Sequence, residues 1–175
     1  MARKIGVVLS GCGVYDGAEI HESVLVLLAL DRRGAEAIVC APDEPQMHVV
    51  DHQSGEVEPG ASRNVLVESA RIARGAIRDV AAVRAEELDG LLLPGGFGAA
   101  KNLCDFAVEG KDCTVHPEVA RLVREVHAQG KPVGRPRRAV TDIDLAAVAH
   151  LPVRQAALSL GVSKSFVAKW RLSTR

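Results

Sequence analysis

The amino-acid sequence predicts an α/β fold, in which helices cover both faces of a parallel β-sheet. Short apolar runs alternate with segments of helical periodicity along residues 1–134. The runs are apolar at successive positions, which is typical of strands buried on both faces. Aromatic residues make up only 3% of a chain that is 47% hydrophobic, so Ala, Val, Leu and Ile must build the core.

The predicted elements follow one another in a regular order. Buried strands are predicted at residues 4–10, 37–41 and 90–93, and a fourth strand begins within 131–134. Helices are predicted at residues 20–33, 64–74, 85–88 and 117–129. Gly34 and Gly130 are expected to end the first and the last of these helices. Between residues 43 and 60 the chain is polar, and Val49, Val50 and Val57 suggest a small hairpin.

Length and charge limit the classes of function. The chain of 175 residues is long enough for one domain with a small appendage. Lys and Arg number 22, as do Asp and Glu, and this balance disfavours attraction of the whole chain to nucleic acid or to a membrane. Residues 135–175, however, hold eight Lys or Arg and two Asp, a net charge of +6, which leaves −6 on residues 1–134.

The four cysteines predict no metal site and no cofactor. Cys12, Cys40, Cys104 and Cys113 are irregularly spaced and form no zinc-binding pattern. The first residues do not resemble a signal peptide, and the longest apolar run is too short to span a bilayer. We therefore expect a cytoplasmic protein with reduced thiols and no membrane contact.

Two glycine-rich loops follow predicted strands, where sites form in parallel sheets. Residues 10–22 combine glycines with a thiol, an imidazole and carboxylates. Gly11 and Gly13 begin a dinucleotide fingerprint, but Asp16 stands where its third glycine would be, which disfavours nucleotide binding. Residues 93–102 carry the pair Gly95 and Gly96, which suits either an oxyanion hole or a tight strand-to-helix turn.

The segments SGCGVYDGAEIHE, RNVLVESARIARG, LPGGFGAAKNL and KPVG resemble the ElbB-type isoprenoid-biosynthesis glyoxalases. These belong to the class I glutamine amidotransferase-like superfamily, alongside the PfpI-type proteins. The resemblance covers about residues 3–134. It implies a flavodoxin-like sheet and a site for a small reactive aldehyde, such as glyoxal or methylglyoxal. The resemblance is also compatible with a homodimer.

The resemblance also implies site residues. In this superfamily a cysteine at a strand-to-helix turn acts with a glutamate from the first loop. Glu22 matches that glutamate, as a proton shuttle, and Gly95 and Gly96 match the oxyanion-hole turn. The family continues the KPxG segment with apolar residues and the cysteine, whereas this chain has Arg135 and Pro136, and no cysteine follows.

The missing nucleophile predicts a truncated domain with weak or absent glyoxalase activity. Cys12 is the candidate for a surrogate nucleophile because it lies in the first glycine-rich loop. The alternative interpretation is that Cys12 has a structural or secondary role in the pocket.

Residues 135–175 suggest a separate basic linker and a helical tail. The RPRR string at 135–138 is similar to arms that track the DNA minor groove. Residues 153–171 resemble the helix-turn-helix of resolvases and transposases, with Gly161 at the turn. The second helix would offer DNA the polar and basic residues Ser163, Lys164, Ser165, Lys169 and Arg171. A DNA-binding module fused to a small-molecule-sensing domain is therefore an alternative function, and a frameshift or fusion product without evolved function is a third hypothesis.

Overall fold

The computed structural model describes residues 2–134, which form a parallel sheet of five strands flanked by helices. The strands are β1 (Lys4–Val8), β2 (Glu36–Ala41), β3 (Arg78–Asp79), β4 (Gly90–Leu92) and β5 (Val133–Gly134). The helices are α1 (Ile20–Arg32), α2 (Val65–Ala73), α3 (Phe106–Glu109) and α4 (Pro117–Ala128). Single 3₁₀ turns lie at Val80–Ala82, Ala85–Glu87, Phe97–Ala100 and Gly110–Asp112.

The strand order places a topological switch point beside the central strand β1. The order is β3-β2-β1-β4-β5, so the chain runs outward from β1 to β3 and then crosses to the other side for β4 and β5. Ile5 is in register with Ala37 of β2 on one side and with Gly90 of β4 on the other. The loops after β1 and β4 leave the sheet in opposite directions, which makes their junction the topological switch point. The predicted flavodoxin-like α/β class is confirmed.

Two aliphatic layers cover the sheet, one on each face. Neighbouring strand residues point to opposite faces, so Val7 packs with the layer of α1 and α2, whereas Val8 packs with the layer of α4. Leu27 and Leu30 of α1 pack against the first layer. The second layer contains Val119, Leu122 and Val126 of α4, which face inward as their spacing predicts. Helices therefore lie on both faces, as the sequence indicated.

Several local differences from the predicted elements have simple causes. Strand β3 was not predicted because Arg78 and Asp79 carry no apolar pattern; the pair forms a strand by pairing with Cys40 and Ala41 of β2. The helix predicted at 85–88 is one 3₁₀ turn. The small hairpin is confirmed by an antiparallel bridge between Val50 and Val57.

The predicted linker and helix-turn-helix, with Ser163, Lys164, Ser165, Lys169 and Arg171, lie outside the described residues. Among residues 2–134, no helix combines the length and apolarity needed to cross a bilayer.

Candidate functional site

The loops after β1 and β4 are joined at the carboxyl edge of the sheet by backbone hydrogen bonds. Glu19 N–H donates to Gly95 O at 2.8 Å, and Gly98 N–H donates to Gly17 O at 2.9 Å. Gly96 has a φ of +105°, and a Cβ there would collide with the backbone of Gly17 and Glu19. The second glycine-rich loop therefore needs its glycines because the first loop passes against it.

Glu22 lies on the first turn of α1 and faces this junction. The N-cap is Glu19, whose Oε2 accepts a hydrogen bond of 2.6 Å from Glu22 N–H, and this fixes the start of the helix. The Glu22 carboxylate reaches Gly95, where an added Cβ would stand 2.5 Å from Oε2. The fold thus brings Glu22 and the turn at Gly95 and Gly96 together, although Glu22 and Gly95 are 73 positions apart in the sequence.

The turn at Gly95 and Gly96 also offers hydrogen-bond donors. Within residues 2–134, the N–H groups of these two glycines donate to no protein acceptor. Both glycines are half-buried. Two such donors on adjacent residues can donate hydrogen bonds to a developing oxyanion, which is the role that the resemblance implied.

Asn102 ties three loops together beside the site. Its Nδ2 donates to the carbonyl oxygens of Ser10 and Asp16, both at 2.8 Å, and its Oδ1 accepts from Met47 N–H at 3.0 Å. Ser10 and Asp16 belong to the loop after β1, and Met47 to the loop after β2. This role was not predicted, and its one signal in the sequence is a polar amide at the end of the LPGGFGAAKN segment.

A second group of side chains fastens the first loop to the hairpin. Asp16 is fully buried, and its Oδ2 accepts from Val50 N–H at 2.8 Å. The other oxygen, Oδ1, lies 3.9 Å from His52 Nε2. Tyr15 N–H donates to that Nε2, which assigns the ring proton to Nδ1 and makes Nδ1 the donor to Val50 O. Asp16 and His52 were not predicted as partners because they meet only when the loops fold together.

Cys12 is half-buried, and its surroundings disfavour the thiolate. Burial raises the pKa of the Cys12 thiol above its ordinary value, and the Glu68 carboxylate raises it further. The positive charges of Arg71 and Arg63 oppose this effect without reversing it. A reactive cysteine needs the opposite balance. The environment therefore supports a structural role over a surrogate nucleophile.

Among residues 2–134, no group of three or more His, Cys, Asp or Glu side chains is arranged to hold a metal ion.

Comparison with known proteins shows several relatives, although no protein-family model matches the chain. It is 59% identical over 133 residues to human glutamine amidotransferase-like class 1 domain-containing protein 3, mitochondrial, covering 76% of this chain and 50% of that protein. It is 38% identical over 135 residues to the zebrafish (Danio rerio) ES1 protein, mitochondrial, covering 75% and 50%. The chain thus spans about half the length of these curated relatives.

The names of these relatives correct one prediction. Both are named as mitochondrial proteins, which contradicts the cytoplasmic location expected from the first residues and the reduced cysteines. Residue composition could not distinguish these compartments.

A solved structure is similar over most of the chain. The isoprenoid biosynthesis protein with amidotransferase-like domain from Ehrlichia chaffeensis is 42% identical, with a TM-score of 0.72, covering 85% of this chain and 68% of that one. Its name and that of the human relative describe the same type of domain. The chain belongs to the class I glutamine amidotransferase-like family.

Proposed function

We propose that this chain is an ElbB-type glyoxalase-like protein that binds small reactive aldehydes and converts them to hydroxy acids weakly or not at all. The link to isoprenoid biosynthesis is part of the proposal and comes from the name of the Ehrlichia relative. The aldehydes are of the glyoxal and methylglyoxal type, as the resemblance of residues 3–134 implies.

The observation that carries the proposal is the contact of the Glu22 carboxylate with the turn at Gly95 and Gly96. A carboxylate beside a bound aldehyde can accept and return a proton. The two glycine N–H groups can stabilise the negative charge that forms on the carbonyl oxygen when a nucleophile adds to the carbon. Binding and proton transfer can therefore be retained in the absence of a thiolate.

The lack of the family's nucleophilic cysteine limits turnover. The sequence has Arg135 and Pro136 where the family pattern continues toward its cysteine. The Cys12 thiol, whose pKa is raised by burial and by Glu68, is a poor substitute. Loss of a covalent nucleophile typically lowers the rate by about 10³-fold or more, and we expect a decrease of that order here.

The experiment measures binding and turnover separately on the purified chain. Binding of methylglyoxal is followed by NMR shifts, and lactate formation is measured in the same samples. We expect saturable binding with lactate formation near background. Glu22→Gln should weaken binding, whereas Glu58→Gln, a change on an exposed part of the hairpin, should not. Robust turnover that disappears in Cys12→Ala would overturn the proposal, and so would the absence of saturable binding.

The second candidate function is DNA binding by residues 135–175. It is favoured by the net charge of +6 on this segment and by its helix-turn-helix-like spacing. On this proposal residues 1–134 act as a small-molecule sensor. The electrophoretic mobility of duplex DNA in the presence of the chain tests it, and no shift at low salt would exclude it.

A further inference from the structure

The outward side of helix α1 is apolar over three turns. Leu25 is 62% exposed, and Val24 is 46% exposed. From Ser23 to Leu30 the helix carries no charged residue. A helix that is apolar on all sides is normally covered on all sides, so this side of α1 has the composition of a buried surface. We call it the α1 face, and its exposed residues are Ile20, His21, Val24, Leu25, Leu28 and Ala29.

The core of the protein does not account for the α1 face. Leu27 and Leu30 already pack the opposite side of α1 against the sheet. Helix α4 shows the usual pattern of a surface helix, because Arg124 and His127 are exposed on it while Leu122 is buried. The aliphatic side chains on the outside of α1 therefore suit contact with another apolar surface.

We propose that the α1 face is the contact surface of a homodimer, in which the α1 helices of two copies pack antiparallel across a two-fold axis. In such an interface both copies use the same patch, so the patch has to be complementary to itself. Ile20, Val24 and Leu28 are spaced four residues apart and form a ridge that can pack beside the same ridge of a second helix. This inference does not depend on the proposed function.

The charged ends of α1 favour the antiparallel arrangement. With the two-fold axis at the level of Val26, residues at equal distances before and after that level lie opposite one another on the two helices. Val24 then lies opposite Leu28 of the second copy, and His21 lies opposite Asp31 of the second copy. Both His21 and Asp31 are exposed. A parallel pair would instead place the two Asp31 side chains together and align the two helix dipoles, which is unfavourable.

Charge and size also fit a second copy as the partner. The formal net charge of the chain is zero, so mutual repulsion does not keep two copies apart. A specific interface buries about 800 Å² on each partner. The aliphatic side chains of the α1 face supply only part of that area, so the flanking Asp31 and Arg32 must be covered as well. We therefore expect a small, reversible interface with a dissociation constant of roughly 1–100 μM.

The test is sedimentation velocity on the full chain, over concentrations that bracket this dissociation constant. We expect a monomer–dimer equilibrium, in which the sedimentation coefficient rises with concentration to the value of a dimer. Leu25→Glu places a carboxylate within the interface and should raise the dissociation constant by about tenfold or more. A monomer at every concentration would overturn the proposal and assign the α1 face to a different partner. Growth beyond the dimer would also overturn it, because a two-fold contact closes on itself.

Val108→Glu is the matched control. Val108 lies on α3, is also 62% exposed, and the change adds the same charge. The dissociation constant of this variant should be that of the unmodified chain. Equal weakening by Leu25→Glu and Val108→Glu would indicate non-specific association of exposed apolar residues and refute the α1 face as the interface. Circular dichroism checks that both variants fold; should Leu25→Glu not fold, Leu25→Ala should still raise the dissociation constant several-fold, and an unchanged constant would refute the proposal.

A charge exchange tests the antiparallel arrangement. His21→Glu places a second carboxylate opposite Asp31 of the second copy and should raise the dissociation constant a few-fold. Adding Asp31→Lys should restore dimer formation, because opposite charges then meet at both ends of the helix pair. If the double variant dimerises no better than His21→Glu alone, these two positions do not lie opposite one another and the antiparallel arrangement is wrong.

Discussion

The Glu22 carboxylate lies so close to Gly95 that a Cβ at position 95 would stand 2.5 Å from Oε2 and 3.5 Å from Oε1. The absence of a side chain at Gly95 is therefore what lets the carboxylate rest against the turn. Helix α1 and the loop after β4 come from opposite sides of the switch point, so this contact depends on the strand order. One methyl group would separate the carboxylate from the N–H groups of the turn, which are the proposed proton shuttle and the proposed oxyanion donors.

Gly95→Ala should push the Glu22 carboxylate away from the turn. The atoms that the added Cβ would meet all belong to the end of the flexible Glu22 side chain, which can move aside, so the urea midpoint should change little. We expect weaker methylglyoxal binding. Gly55→Ala is the matched control, because Gly55 has a φ of +79° with no atom within 4 Å of an added Cβ. It should lower stability through backbone strain alone and leave binding unchanged. Equal effects of both variants on binding would contradict the contact.

Asn102→Ala should loosen three loops at once. The side chain makes three hydrogen bonds, to Ser10 O, Asp16 O and Met47 N–H. At about 1 kcal/mol each, their loss should cost about 2–3 kcal/mol of unfolding free energy, measured by urea denaturation. Asn102→Asp keeps the acceptor for Met47 but turns a carboxylate oxygen toward two carbonyl oxygens, so it should be no more stable than Asn102→Ala. Gln53→Ala, a change at an exposed position, is the control. A loss of unfolding free energy in Asn102→Ala no larger than that in Gln53→Ala would disprove the role of Asn102.

The Glu19 carboxylate should make stability depend on pH in acid. Burial raises the pKa of Glu19, but hydrogen bonds from His21 and from Glu22 N–H outweigh it, and the net shift is below the ordinary 4.5. A carboxyl group with a lowered pKa in the folded state stabilises the protein above pH 4.5, and this contribution is lost as the pH falls through the lowered value. Glu19→Gln should cost about 1 kcal/mol at neutral pH and flatten the decrease of the melting temperature in acid.

A control separates this effect from general acid unfolding. Glu58→Gln removes an exposed carboxylate of the same charge. It should leave the melting temperature at neutral pH, and the decrease of the melting temperature in acid, close to those of the unmodified chain. If the melting temperature falls equally steeply in acid for Glu19→Gln and for Glu58→Gln, Glu19 does not stabilise the protein through its N-cap hydrogen bond.

Cys12 should react slowly with iodoacetamide at neutral pH because the pKa of its thiol is raised by burial and by Glu68. Glu68→Gln removes the negative charge and should lower that pKa and speed alkylation, whereas Arg71→Ala should slow it. Peptide mapping after timed alkylation measures both rates. Alkylation of Cys12 in the unmodified chain faster than that of a free peptide thiol would restore Cys12 as a candidate nucleophile.

The sequence predicted those parts of the fold whose pattern is local. Strand β1 and helix α4 have apolar residues at strand and helix spacing, and both were found close to the predicted bounds. Strand β3 was missed because Arg78 and Asp79 become a strand only by pairing with β2. The contact of Glu22 with Gly95 could be expected from the resemblance alone, since no periodicity links residues so far apart.

The side chains that were not predicted were missed for the same reason. Asn102 and Asp16 act on backbone groups of other loops, and these partners become visible only when the loops meet. A buried carboxylate such as Asp16 reads in the sequence as an ordinary polar loop residue. Sequence patterns locate elements, whereas these contacts between loops depend on the strand order.

The final prediction concerns DNA binding by residues 135–175. This segment carries +6 and residues 1–134 carry −6, so any affinity should arise from the tail and be weakened by the rest of the chain. Three to five phosphate contacts, an estimate for one small module, give a slope of log affinity against log salt of about −0.9 per contact. Fluorescence anisotropy of the full chain on labelled duplex DNA measures this slope between low and moderate salt. Lys164→Ala combined with Arg171→Ala should make the slope shallower by about two contacts, whereas Lys111→Ala, a change in residues 1–134, should leave it unchanged. Binding that is insensitive to salt and to the double variant would reject the helix-turn-helix interpretation and leave aldehyde binding as the function to be tested.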